Sequence, residues 1–523
     1  MNAPETVRSG FLRARRVLTM DGSARGDALW WQDGRVRQVG DAAAVARLVP
    51  PGTLTFDLPG AIVTPGFVDG HTHFAMWALG RRRVQLAGAR TRAEALARVG
   101  AAAPVQGWVL GQGWDSNGWG DAPERTVLDD VHRGPVYLDS LDVHAAWVNS
   151  AALAAAGITR ATPDPFGGRI VRDGSGEPTG LLLERAVELM LPALPVPPED
   201  LLDAALLDGQ REAHRLGLTG IHNVEGEEVL TAFRRLETRA ALRLRVLFHP
   251  PVAALAGMLA RGDRSGSGTA WVRLGGVKLF LDGSLGSRTA WMLEPYAGSR
   301  DRGMPITAEP EAAEAMRAAA AGGIAVTAHA IGDAAVRRAL DLMSQLPRTA
   351  VPHRIEHFQC VHPDDLDRAA AAGLVASRQP AHLLTDIPLV DRHWGTRGAG
   401  AYAFRTLRQR GTALVFGSDA PVASLDPRDG LYAALERRTD DGGPAGAWRP
   451  EERLGFEDAV RAYTLAPARA SGSVIAGGRL APGQPADLVA WSFDPAAERG
   501  SGEAVRAGRA VLTVVAGEVV MQR

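Results

Sequence analysis

The chain has 523 residues, 46% of them apolar and 22% charged, with a formal net charge of −1. That length corresponds to roughly two to four ordinary domains, or one large barrel with additions, and it can bury a sizeable core. The near-zero charge gives no footprint for nucleic acid. No window approaches the ~18 apolar residues of a membrane span, and the first residues carry no hydrophobic signal region, so a cytoplasmic protein with a small-molecule substrate is expected. The single cysteine, Cys360, excludes an intramolecular disulfide framework, fits a reducing compartment and is expected in the core.

In chain order, the first stretch alternates short β-type runs (Phe11 to Met20, Ala28 to Gln32, Arg35 to Val39) with Asp21-Gly22 and Asp33-Gly34, pairs that favour hairpins. The C-terminal stretch does the same with Ala486 to Trp491 and Ala510 to Val520. Neither end can bury a sheet alone, so residues 1–63 and 472–523 are expected to combine into a composite β-sandwich. The apolar run Ala61-Ile62-Val63 then leads into Pro-Gly-Phe-Val-Asp-Gly-His71-Thr72-His73. In a strand, positions i and i+2 share a face, so the two imidazoles lie together at its end and form part of a transition-metal site. Arg81-Arg82-Arg83 reads as a solvated edge.

Further strand-like runs follow at Gly217 to Val224, Leu242 to Pro250, Val272 to Asp282, Gly323 to His329, Arg354 to Gln359, Leu374 to Pro380 and Thr412 to Asp419. Helical spacing appears between them at Leu201 to Leu216, Glu311 to Ala321, Ala334 to Ser344 and Pro363 to Ala372. Eight strand-helix units predict an α/β fold, a (β/α)8 TIM-like barrel over 64–471 whose chemistry sits at the C-terminal strand ends. The interval after the first strand is too long for one helix. Residues 85–194 therefore read as an inserted subdomain over the barrel mouth, with a hairpin near Gly167 to Gly176, closed by Pro192, Pro195, Pro197 and Pro198. The loops Gly262 to Gly268 and Asp440 to Gly446 read as flexible.

The polar residues fall at the predicted strand ends: His71 and His73, Lys278, His329, His357 and Asp419. Six donors are too many for one tetrahedral zinc, but they suit two adjacent metals if Lys278 is carboxylated and bridges them. If it is not, a pairing with an acid such as Asp282 and a single metal are expected. His353 sits roughly 13 Å from His357 along an extended strand and cannot reach the same mouth. Glu356 reads as a supporting group. Asp419 is the best candidate for moving a proton between water and a leaving nitrogen. His382, after the seventh strand, is a candidate to polarise a substrate carbonyl. Trp114, Asp115 and His144 in the insertion, and Arg288 after the fourth strand, are the remaining candidate substrate contacts. His222 could line the mouth without ligating.

At these residues the chain resembles the amidohydrolase superfamily, specifically the amidohydrolase family 3 group of YtcJ-like proteins and N-substituted formamide deformylases. The resemblance is carried by Pro-Gly-Phe-Val-Asp-Gly-His-Thr-His at 65–73, Val-Lys-Leu-Phe-Leu-Asp-Gly-Ser-Leu-Gly-Ser-Arg-Thr-Ala at 277–290, His-Ala-Ile-Gly-Asp at 329–333, His-Arg-Ile-Glu-His at 353–357 and Gly-Ser-Asp at 417–419. It also includes Gly-Gln-Pro-Ala-Asp-Leu-Val at 483–489. It implies a metal-dependent hydrolase, usually with zinc, a carboxylated Lys278, a bridging hydroxide that attacks a C–N bond, and a homodimer. Two departures stand out: Ala420 where a tryptophan is common, and Asn223 where an aspartate is usual. The expected reaction is hydrolysis of an amide, N-substituted formamide or cyclic amide. The alternatives are a mononuclear heterocycle deaminase, against which the absence of an acid in His329-Ala-Ile-Gly332 argues, and a non-catalytic metabolite-binding regulator.

Overall fold

Alternating burial along the terminal strands produces the first layer. In the computed structural model, which describes residues 8–20, 22, 25–439, 446–472, 477–494 and 502–523, strands from both chain ends form one seven-stranded sheet. Its order is Glu518–Gln522, Ala510–Val515, Leu488–Trp491, Thr55–Pro65, Gly10–Leu18, Arg25–Gln32 and Arg35–Gly40. Leu12, Leu29, Trp31, Val63, Leu488 and Leu512 bury together on it. The run expected as one strand over Ala510 to Val520 is a hairpin, because Ala516 and Gly517 both take positive φ, 50° and 80°. Thr55–Pro65 is central to the sheet and delivers the chain directly to Phe67, whose ring packs on Trp491 and Tyr463 at centroid distances of 4.9 and 5.6 Å. Contacts of this kind contribute about 0.5–1.5 kcal/mol each beyond burial.

The predicted eight-strand alternation is present as two parallel sheets. One contains Phe67–Thr72, Leu218–Val224, Arg245–His249 and Val272–Leu274; the other contains Gly276–Phe280, Ala325–Ala330, Arg354–His357, Val375–Arg378 and Ala413–Phe416. The fourth predicted strand is interrupted at Gly275, where an added Cβ would lie 2.5 Å from the His249 ring. A parallel bridge between Pro251 and Lys278 spans the break. At the other edges, Asp419 N donates to His71 O at 2.7 Å and His73 N to Ala420 O at 2.9 Å. This approach requires Gly417, where a Cβ would stand 2.3 Å from His71 N.

The helices Glu199–Arg215, Glu309–Ala321 and Asp333–Met343 lie within a residue or two of expectation. The helix expected over Pro363 to Ala372 is split into a 3-10 turn, Pro363–Asp365, and a short helix, Arg368–Ala372; Asp365 turns inward to Arg337 and Arg368 at 2.8 Å each. The loop after Gly262 is anchored rather than loose, since Gly266 N donates to Leu274 O and the Arg273 guanidinium to Gly266 O. Of the stretch Asp440 to Gly446, only Gly446 is among the described residues. None of the described helices is long and apolar enough to cross a membrane.

Residues of the predicted insertion form a six-stranded sheet between Val84–Gln85 and Gly168–Arg172, including the expected hairpin with Pro178–Glu184. Leu128, Val136, Leu138 and Trp147 give it a core of its own. Arg83 is not merely a solvated edge: its guanidinium lies 3.3 Å from Asp139 in this sheet, while Arg82 pairs with Asp208.

Cys360 is buried, and burial raises its thiol far above the usual range. Thiol reagents are therefore expected to leave the native protein unmodified and to label one thiol per chain after denaturation; native labelling would contradict this packing. His214, on the helix Glu199–Arg215, donates to Arg243 O at 2.9 Å, and burial pushes its pKa down to about 4. The unfolded chain takes up this proton near pH 6.5 and the folded chain only near 4, so stability is lost as pH falls through that window, by about 1.4 kcal/mol per unit. Denaturant titrations from pH 7 to 4 should show this slope, and His214→Gln should flatten it.

Candidate metal centre

The centre is built where strands stop. His71 lies on the first parallel strand, and its Nδ1 is 2.5 Å from Glu356 Oε2. Burial pushes the Glu356 carboxyl up, but Arg354, His71 and Lys278 outweigh it and hold the group well below the usual carboxylate range. A carboxylate only accepts, so His71 Nδ1 carries the proton and its Nε2 is left as a donor for a cation. Arg354 completes the support: its guanidinium donates to both Glu356 oxygens, to Gly70 O and Ser377 Oγ at 2.6 Å each, and meets His222 Nδ1 at 2.8 Å. Glu356 thus takes the supporting position, and His222 lies beneath the donor cluster.

Among the described residues, His71, His357 and Asp419 offer donor atoms that all lie within 4.8 Å of one another. His71 Nε2 and His357 Nδ1 are buried and make no hydrogen bond among the described residues, the former facing Asp419 Oδ1, as expected of ring nitrogens shaped to ligate. Burial is the chief cause that lowers the His329 and His357 pKa values well below the usual range, which keeps both imidazoles neutral. The two rings lie 4.4 Å apart between centroids. Asp419 Oδ1 lies 3.2 Å from His71 Nε2 and 3.3 Å from His73 Nε2, and its Oδ2 lies 3.7 Å from His382 Nε2. Burial raises the Asp419 carboxyl, but the neighbouring imidazoles prevail and hold it well below the usual range. His357 and Asp419 both adopt left-handed backbone, φ 65° and 61°, a strained conformation for such residues that clusters at functional sites. These donors fit a divalent transition metal.

Lys278 is buried on the same inward face as Phe280, with Nζ 4.5 Å from that ring's centroid. Burial pushes its pKa down to about 8. The alternative partner, Asp282, is committed elsewhere: it accepts backbone N–H bonds from Ile331, Gly332 and Trp291 at 3.0, 2.8 and 2.9 Å.

The insertion reaches this centre through His144, not through Trp114. His144 stands 5.2 Å from the His329 ring and 6.4 Å from the Phe280 ring, and its Nδ1 bonds Glu184 at 2.7 Å. Trp114 sits in the insertion's own core, tilted against Trp119 and edge-on to Trp147, with its indole donating to Leu138 O; its apolar surface is used up in packing. Asp115 accepts from Asn117 N and Nδ2 at 2.9 and 2.8 Å and so shapes a turn. Arg288 is exposed in left-handed conformation, φ 57°. His382, in a 3-10 turn after the seventh parallel strand, packs on His357 at 6.1 Å.

Three groups escaped the sequence reading. Asp69 accepts from His71 N and Ser418 N at 3.0 Å each and so joins the first strand to the Gly-Ser-Asp loop; its place two residues before His71 was the available signal. Glu184 carries no motif that marks it; Phe280 lies inside the 277–290 motif and follows Lys278 by the period of two that puts both on one face.

An α/β scaffold with convergent imidazoles and a carboxylate at parallel strand ends defines the class of hydrolase-like metal sites. The profile of the amidohydrolase family matches residues 54–521, and the chain belongs to that family. It is 32% identical over 492 residues to the putative amidohydrolase YtcJ of Bacillus subtilis (strain 168), covering 90% of this chain and 92% of that protein. It is 28% identical over 497 residues to the N-substituted formamide deformylase of Arthrobacter pascens, covering 88% and 89%. An uncharacterized metal-dependent hydrolase from Pyrococcus horikoshii OT3 superposes with a TM-score of 0.76 at 27% identity, over 93% of this chain and 98% of that one.

Removing Glu356 leaves a buried guanidinium unpaired, which costs about 3–5 kcal/mol. Glu356→Gln is expected to lower stability by that order in denaturant titrations and to weaken metal binding. A variant as stable as the wild type would show that Arg354 is compensated elsewhere.

Proposed function

We propose that the chain is a metal-dependent hydrolase of a C–N bond in an amide, N-substituted formamide or cyclic amide, with Asp419 as proton carrier. The observation that carries this reading is the convergence of His71 Nε2, the His357 ring and the Asp419 carboxylate on one point. The names of the relatives from Bacillus and Arthrobacter favour the same bond. The two parallel sheets are read as arcs of a single eight-stranded barrel. His71, His73, Lys278, His329, His357 and Asp419 would hold the cation, zinc in the first instance and two ions if Lys278 is carboxylated. Carboxylation needs a neutral amine, and burial that brings the Lys278 pKa down to about 8 makes that form accessible near neutral pH.

When bound, the metal supplies Lewis acidity to a carbonyl and lowers the pKa of water. The chain's own residues do the rest. Asp419, with Oδ1 toward His71 and His73, presents Oδ2 on the His382 side. There it receives the proton that the attacking water releases and returns it to the nitrogen as the C–N bond breaks, since an unprotonated amine anion is a poor leaving group. His382 Nε2 is buried and makes no hydrogen bond among the described residues, which leaves it available to donate to the carbonyl oxygen. His144, held by Glu184, and the Phe280 ring wall the opposite side. Against the deaminase alternative stands the fifth-strand stretch His329-Ala-Ile-Gly332, which offers no acid, while Glu356 is engaged by Arg354 and His71.

The test is a panel of N-substituted formamides, N-acyl amines and lactams with zinc-reconstituted protein. A chelator should abolish turnover and zinc should restore it. Asp419→Asn should lower kcat by about 10²–10⁴. Undiminished turnover in that variant rules out Asp419 as the proton carrier.

A further inference from the structure

His71 and His73 are two residues apart, yet they are positioned by different means. His71 is fixed through its ring by Glu356. His73 is the more open of the two, its side chain 20% exposed against 1%, and among the described residues no carboxylate other than Asp419 pairs with its ring. His73 immediately precedes the helix Phe74–Gly80 and gives it no side-chain cap. The first three amides of that helix are instead taken by two side chains at the end of the second parallel strand. Phe74 N donates to Asn223 Oδ1 at 2.9 Å, Ala75 N to Glu225 Oε2 at 2.9 Å, and Met76 N to Glu225 Oε1 at 2.7 Å. Asn223 Nδ2 in turn donates to Glu225 Oε2 at 2.9 Å.

We propose that Asn223 and Glu225 act as one unit of positioning residues that sets the backbone of His73 and thereby the hold of the centre on its metal. The inference rests on His73 being a ligand, as in the proposed function. Each acceptor oxygen of the pair meets a separate main-chain N–H, so the turn from His73 into the helix is fixed at three consecutive residues. The unit also accounts for the asparagine. Glu225 only accepts, so its neighbour must donate; an aspartate at 223 would set one carboxylate 2.9 Å from another. The amide oxygen of Asn223 then serves Phe74 while its amide nitrogen serves Glu225. Supporting groups of this type are worth about 10- to 100-fold in metal affinity.

The experiment measures zinc affinity on the full chain by competition with a chromophoric chelator, alongside melting of the metal-free forms. The proteins are wild type, His73→Ala, Glu225→Gln, Asn223→Asp and the double variant N223D/E225Q. Each single change at 223 or 225 is expected to weaken zinc binding at least about tenfold. The double variant restores a donor–acceptor pair between 223 and 225 with reversed polarity but leaves Ala75 N without its Oε2 acceptor, and is expected to recover part of that loss. Zinc affinity equal to wild type in either single variant overturns the proposal, as does a double variant no better than the worse single. If one single variant does not fold, comparison of the other with the double decides. His73→Ala with wild-type zinc binding would overturn both this inference and the ligand assignment. Normal zinc behaviour in the series without hydrolysis of any amide would leave this inference standing and sink only the proposed reaction.

Discussion

The arrangement of the candidate centre depends on a buried ionic contact between two side chains of one strand. Arg354 and Glu356, two residues apart on one strand, are withdrawn from water together, and each would cost several kcal/mol if left alone. Their satisfaction recruits neighbours from three other parallel strands: His71 and Gly70 from the first, His222 from the second, and Ser377 from the seventh, around the sixth that carries the pair. The same contact determines which nitrogen of His71 faces Asp419 and the other candidate donors. Fold stability and ligand orientation are therefore one interaction seen from two sides.

Two of the candidate donors sit on backbone that would not choose its conformation alone. His357 and Asp419 have positive φ, which costs about 1–3 kcal/mol each and persists where surroundings over-determine it. For Asp419 the determinants are visible. Its amide donates to His71 O, and Asp69 grips the preceding Ser418 N. Glycines 70 and 417 let the strand ends meet closely enough for both bonds. A lone carboxylate at the end of a short strand is thus aimed by contacts from the opposite end of the chain.

The inserted sheet is tied to the centre by polar contacts rather than by packing alone. Asp142 accepts from Ser284 Oγ at 2.6 Å and Ser287 Oγ at 2.7 Å, while Glu184 accepts from Thr289 Oγ1 and from His144. These bonds hold the loop after Lys278 and place His144 against His329. The parallel strand ends supply the candidate donors, and this inserted layer places His144 and Glu184 beside them.

The sequence alone carried the alternation of strand and helix, the β-type runs at both termini and the ligand candidates, while the sandwich expected from those runs is observed as one seven-stranded sheet. These are written in local periods and in short motifs: apolar residues at spacings of two or of three and four, and His-x-His at a strand end. It could not decide that Trp114 belongs to the insertion's core while His144 reaches the centre, since both are aromatic residues in the same segment. Nor could it show Asp282 bound to three amides instead of Lys278, or Asn223 and Glu225 gripping the helix after His73. Those outcomes depend on which partners lie across the fold, in residues such as Gly332, Leu138 and Met76 that are distant in sequence. Tertiary structure decided them because a buried polar group is settled by the hydrogen-bond partner it finds in space, and that partner leaves no period in the chain.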